Sequence, residues 1–195
     1  MMTTNFFIEN LKKYGPLSSE TQKLLIPHIQ HCFKRKGDHL LKKGQVNGGV
    51  YILEKGILRF YYHNNQKEIT TWFCSENMVA FSSSFFFHLP SFENIQVLED
   101  SSVYYISGDV LNKLYKENEQ INTIGRKLSE EYCLEFEHRV ASLQTQTALE
   151  RYEDLINHTP EIFQRVSLGD IASYLAISPE TLSRIRRQFV SNTEE

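Results

Sequence analysis

The side chains best placed to do chemistry lie in residues 167–189, which parse as two short helices around a tight turn. Ser167 is a helix N-cap, with Asp170 three residues on as the returning carboxylate. Ile171 and Leu175 share one face of the first helix, and Ala172 is small where a second helix must cross closely. Ala176, Ile177 and Ser178 form the turn. Ser178 then caps the second helix, and Pro179 takes its first position, where a missing N–H costs nothing. Leu182, Ile185 and Phe189 recur at steps of three and four, which gives the second helix one buried face.

The other face of that helix presents Glu180, Thr181, Ser183, Arg184 and Arg187. This is the equipment of a helix that enters a DNA major groove. An arginine can grip guanine O6 and N7 in a bidentate fork, and a glutamate can accept from cytosine N4. The hydroxyls of Ser178 and Thr181, with the helix N-terminal amides, suit phosphates, and Arg187 suits the backbone. The competing reading is an ordinary helical hairpin with a solvated, charged face.

Other chemistries find little support. There is no nucleophile elbow, P-loop or dinucleotide fingerprint. No catalytic residue is expected, and Glu130, Glu131, Glu135 and Glu137 read as the solvated face of a helix. His28, His31, Cys32 and His39 share no clear helix face, so no metal site is expected. Neither His63 nor His88 is singled out as a haem ligand, and no cofactor is predicted. Cys32, Cys74 and Cys133 are odd in number and far apart, which argues for free thiols in a reducing cytoplasm. Redox sensing by Cys74 or Cys133 is the alternative.

The elements that must hold the two-helix unit follow from pattern. In 1–30, Phe6, Leu11 and Tyr14 space one short helix, and Ser18 or Ser19 caps a second through Leu24, Leu25 and Ile29. From 33 to 106 the chain reads as about eight short strands between turns, which suggests a small antiparallel barrel or roll. The aromatic richness fits here, since 23 of the 24 aromatics are Phe or Tyr and suit a pleated, half-buried surface. A short helix follows from Gly108, then a long one over about 119–144. Ile121, Ile124, Leu128, Tyr132, Phe136, Val140 and Leu143 form a stripe along it, with Gly125 its weak spot. So long a helix after so small a roll has little local core to cover, and the stripe is expected to join two copies. Another helix spans 148–158, and Pro160 follows it.

The chain has 195 residues and a net charge of −3, which excludes a binder that holds nucleic acid by bulk charge. A small basic reading element remains compatible. Residues 160–195 hold four arginines against five acids, but three of the arginines fall within 184–187. Nothing at the start reads as a signal peptide, and the apolar run 79–90 is too short to span a bilayer. A cytoplasmic protein with no membrane partner is expected.

The order of roll, long helix and helix-turn-helix, with residues 170–184 as its most telling segment, resembles the Crp/Fnr family of bacterial transcription regulators. The resemblance implies an α+β chain with an N-terminal antiparallel β-roll or jelly roll of cyclic-nucleotide-binding type over 1–118. A dimerisation helix over 119–145 and an all-α helix-turn-helix domain over 146–195 would follow. It implies a homodimer on a palindromic promoter site in double-stranded DNA, and RNA polymerase as a further partner. In the Fnr branch a Glu-Thr-x-Ser-Arg motif supplies base contacts, and its counterparts here are Glu180, Ser183 and Arg184. Two departures stand out. Ala176 occupies a turn position usually held by Gly, and only six residues follow Phe189, too few for the β-hairpin wing of many members.

Family members that bind cyclic AMP carry a Gly-Glu pair and an Arg followed by Ser or Thr. This sequence resembles them poorly there. Glu93-Asn94 stands where the Arg pair would fall, and residues 72–99 contain no Arg or Lys. A carboxylate in place of a phosphate-binding arginine repels the ligand, so cyclic AMP is not expected. The replacement is apolar, and two readings stay open. The aromatics fill the core, or Phe81, Ser82, Ser83, Phe85, Phe92, Glu93 and Asn94 line a pocket for another small-molecule effector. The leading expectation is thus a dimeric regulator sensing an unknown signal. The alternative is a ligand- or partner-binding roll that does not bind DNA.

Overall fold

Branched and aromatic residues in short alternating runs pair into two facing sheets. The structure, a computed structural model, describes residues 3–46, 48–65 and 67–193. Among them are β1 (Gln30–Lys34), β2 (His39–Leu41), β3 (Gly49–Lys55), β4 (Leu58–Asn64), β5 (Lys67–Cys74), β6 (Val79–Ala80), β7 (Asn94–Val97) and β8 (Ser101–Ser107). One sheet runs β1-β8-β3-β6 and the other β2-β7-β4-β5, with every pairing antiparallel. Leu53, Leu58, Ile95, Val97 and Val103 are fully buried between them. The β3–β4 turn needs glycine. Gly56 has φ +118°, and a Cβ there would lie 1.9 Å from the Ser101 hydroxyl. The expected roll is present, and its first strand starts three residues earlier than the sequence suggests.

Before the roll come α1 (Thr3–Lys12) and α2 (Ser19–Leu25). Ser18 is the α2 cap, accepting from the Thr21 N–H. Tyr14 falls past the end of α1, and Ile29 beyond that of α2. A one-turn helix, α3 (Ser84–Phe87), interrupts the aromatic run between β6 and β7. The sequence does not announce it.

After the roll, α4 (Gly108–Glu117) leads into α5 (Glu119–Thr145), where the Asn118 side chain accepts from the Ile121 N–H at 3.0 Å. Here the expectation for the long helix needs correction. Ile121, Ile124 and Leu128 are covered within the chain, at 3–5% exposure, among Phe7, Leu11, Leu25, Leu111 and Leu114. The first turns of α5 therefore complete the roll's own outer core. Burying each such side chain is worth roughly 1.5–3 kcal/mol, so these three are not available to a partner. Tyr132 is half-buried, while Phe136, Val140 and Leu143 are 54%, 40% and 40% exposed. Gly125 also gains a reason: a Cβ there would come within 2.5 Å of the Tyr115 ring on α4.

The C-terminal part holds α6 (Ala148–His158), α7 (Ile162–Arg165), α8 (Leu168–Tyr174) and α9 (Pro179–Thr193). Thr147 and Glu150 form a capping box at the start of α6. Tyr152, Leu155, Ile162, Val166, Ile171, Leu175, Leu182 and Ile185 make one core with Ile57 and Phe73 of the roll. No described helix is long and apolar enough to cross a membrane.

Candidate nucleic-acid interface

The two-helix unit forms as its capping residues dictate. The Asp170 N–H donates to Ser167 Oγ at 3.1 Å, and the Ser167 hydroxyl donates back to the Asp170 carboxylate at 2.7 Å. The turn closes through the Ile177 N–H on the Ala172 carbonyl at 3.0 Å. Ala176 is left-handed at φ +54°, a conformation that costs a residue with a Cβ roughly 1–2 kcal/mol. Ser178 caps α9, accepting from the Thr181 N–H at 3.2 Å.

Packing then decides which face of α9 looks outward. Leu182 and Ile185 are buried, and the Phe189 ring lies 5.4 Å from Tyr152. That turns Glu180, Ser183, Arg184 and Arg187 into solvent, with Ser178 beside them and Thr181 half-buried. Glu180 is held below the usual carboxylate range by a hydrogen bond from Ser178, so it stands ready as an acceptor. The Ser183 hydroxyl donates to the Pro179 carbonyl at 3.0 Å in its own helix. Arg186 is exposed as well, and it lies close enough to Tyr152 to oppose the upward pKa shift that burial causes there.

How this head is held against the roll was not legible in the sequence. Strand β5 lies at the edge of its sheet, and its outward backbone groups need partners. Ser173 of α8 supplies them. Its hydroxyl accepts from the Thr70 N–H at 2.9 Å and donates to the Glu68 carbonyl at 3.0 Å. Beneath that contact Arg59, only 4% exposed, donates to Glu68 at 2.6 Å and to Thr70 at 2.8 Å, and pairs with Asp170 at 3.0 Å. Asp170, read from sequence as a capping residue alone, thus also ties the head to the roll. A second tie joins Arg165 to Glu76 at 2.6 Å and to Glu99. The Arg165 hydrogen bonds pull the Glu76 carboxyl down to about 2. A lone arginine within an apolar strand was the one available signal for the first clamp.

The candidate pocket residues divide. Phe81 and Phe85 are core, and Phe81 packs 5.0 Å from the Tyr132 ring of α5. Phe92 is 58% exposed, which corrects its placement as a pocket residue: it points away from the core. Ser83 is half-buried and Ser82 buried. Asn94 is a brace, accepting from the Lys43 N–H at 3.0 Å and donating to the Tyr61 carbonyl. Glu93 is 5% exposed, and its Oε1 meets no donor. Burial pushes its pKa up, against a hydrogen bond from Ser82. A cyclic nucleotide's phosphate needs donors and positive charge. A buried carboxyl whose Oε1 has no donor, with no Arg or Lys over 72–99, does not fit it.

Comparison with known proteins places this architecture. Residues 33–118 match the family model of the cyclic nucleotide-binding domain. No curated protein matches the chain in sequence. Several solved structures share its fold. FixK2 from Bradyrhizobium japonicum aligns with TM-score 0.69 at 19% identity, covering 85% of this chain and 86% of its own. A Eubacterium rectale protein assigned to the Crp/Fnr family of transcriptional regulators gives 0.71 at 16%, covering 92% and 88%. CLP from Xanthomonas campestris, a c-di-GMP-responsive global regulator, gives 0.68 at 15%, covering 90% and 93%. The roll, long helix and helical end of this chain therefore have the fold of Crp/Fnr-type regulators, in agreement with the resemblance of its sequence.

Proposed function

We infer that the chain belongs to the Crp/Fnr family and is a DNA-binding transcription regulator that works in the cytoplasm as a homodimer on a palindromic site. One observation carries the reading. The N-terminal half of α9 turns Glu180, Ser183 and Arg184 outward together, at the end where a recognition helix meets base edges. In this role Arg184 and Glu180 read bases with Ser183 beside them. Ser178, Thr181 and Arg187 face the phosphates. Dimerisation falls to the exposed half of the stripe, Phe136, Val140 and Leu143, with Tyr132 at its inner edge. The roll senses a signal other than cyclic AMP, since Glu93, whose Oε1 is buried without a donor, stands where a phosphate-binding arginine would fall.

Selection from random duplex DNA tests this. A palindrome should be enriched. Arg184→Ala should lose roughly 1–3 kcal/mol and relax preference at one base pair per half-site. Arg187→Ala should weaken all sequences alike and flatten the salt dependence. Failure to enrich any sequence would leave the roll as a ligand- or partner-binding module without DNA.

A further inference from the structure

A cavity of about 650 Å³ lies where the roll, the long helix and the helical end meet. Its volume is within the roughly 300–1,000 Å³ of small-molecule sites, which concentrate at such junctions. The wall is mainly apolar, with Trp72, Phe73 and Met78 from the roll side and Leu155, Ile162 and Tyr174 from the helical end. Into it come two guanidiniums, Arg139 from α5 and Arg151 from α6.

Those two arginines are unusual in their partners. Arg139 donates to the Tyr174 carbonyl and lies 3.9 Å above the Tyr174 ring. Arg151 donates to the Leu175 carbonyl at 3.1 Å and the Gln146 carbonyl at 2.6 Å. Both are thus spent on neutral acceptors, two of them at the C-terminal end of α8, and neither is in an ion pair among the described residues. Burial and the neighbouring Arg151 disfavour the charge on Arg139. Two like charges, partly desolvated and without a counter-ion, are a standing cost that an anion would relieve.

The other titratable groups of the wall do not cancel them. Glu135 lies one turn nearer the roll than Arg139, and its charge is itself disfavoured by burial and by Glu131. Asp154 already accepts from Gln146 at 2.6 Å. The His158 ring contacts the Asp154 carbonyl at 2.8 Å, and His138 adds a second imidazole. The cavity face of α5, with His138, Arg139 and Ser142, is also distinct from the stripe of Phe136, Val140 and Leu143. A second copy seated on that stripe leaves this side of the helix open.

We propose that this cavity is a binding site for an amphipathic organic anion, with its apolar body against Trp72, Phe73 and Tyr174 and its acid group between Arg139 and Arg151. The site does not depend on DNA reading. Because the same arginines hold the end of α8, an occupant touches the roll, the long helix and the reading head at once. Its affinity then depends on how the head sits, and by linkage it biases that position.

The probe is 8-anilinonaphthalene-1-sulfonate, an aromatic body with one fixed anion. Trp72 is the chain's only tryptophan and lines the cavity, so bound probe should accept its excitation energy. The full chain should show saturable Trp72 quenching with matching probe emission. Arg139→Gln and Arg151→Gln should each weaken it roughly tenfold, about the worth of one charge-assisted hydrogen bond. Uncharged N-phenyl-1-naphthylamine should show no difference between these variants and wild type. Ser142→Phe fills the cavity with both arginines intact. It should abolish transfer with the circular dichroism unchanged, and it decides the matter if an arginine variant unfolds. Equal affinity in the arginine variants, or transfer surviving Ser142→Phe, overturns the proposal. So does loss of binding at concentrations where the chain associates, which would make a second copy the occupant.

Discussion

Replacing Arg59 with Met tests the clamp that sets the two-helix unit on the roll. Methionine keeps most of the buried stem volume, so the change removes charge and hydrogen bonds with little cavity. It deletes the donors to Glu68, Thr70 and Asp170. Breaking a fully buried pair costs about 3–5 kcal/mol, because the stranded charge cannot reach water. Here the stranded groups can partly do so, since the Glu68 and Asp170 side chains are 43% and 21% exposed. The loss should therefore lie lower, near 2 kcal/mol, which for a chain of this size lowers the melting temperature by roughly 4–8 °C. A local readout separates release of the head from general weakening. The Thr70 amide is held by Ser173 alone across the β5 edge, so its hydrogen exchange should accelerate by roughly tenfold or more, ahead of amides inside the β4–β5 ladder. A cycle with Asp170→Asn should return a coupling of about 1 kcal/mol. An unchanged melting temperature, Thr70 exchange that follows the rest of the sheet, or zero coupling would refute the clamp.

Three more outcomes follow from single groups. Glu76 is held at about 2 when folded against an ordinary 4.5, so its pairing with Arg165 stabilises fully above the ordinary value and is lost as pH falls through that window. Acid melts of Glu76→Gln should accordingly show a shallower loss there than wild type. Glu93 has the opposite sign: its raised pKa means the ionised form opposes folding above the ordinary carboxylate range. Glu93→Gln should raise the melting temperature at neutral pH, and a lower one would mean that the Ser82 hydrogen bond outweighs the cost of burying the charge. Phe136→Asp, on an exposed position of α5, should leave circular dichroism intact and shift the sedimentation of the chain to that of a monomer.

Much of this protein is local and so was readable in the residues themselves. Ser167, Asp170, Ser178 and Pro179 act within one helical turn. Their types alone place the start of α8 and α9, and the spacing of Leu182, Ile185 and Phe189 determines which side of α9 is outward. Strand alternation and the length of α5 follow from period in the same way. What periodicity cannot say is what an apolar stripe meets. Ile121 and Phe136 belong to one pattern, yet the first closes the core under α1 and α2 and the second lies open, because coverage depends on elements over a hundred residues away. The clamp of Arg59 with Asp170, the Ser173 patch on the β5 edge and the bonds from Arg139 and Arg151 to the end of α8 are likewise contacts between distant segments. Hydrogen-bond chemistry names which groups need partners. Only the packed tertiary structure decides which partners they find.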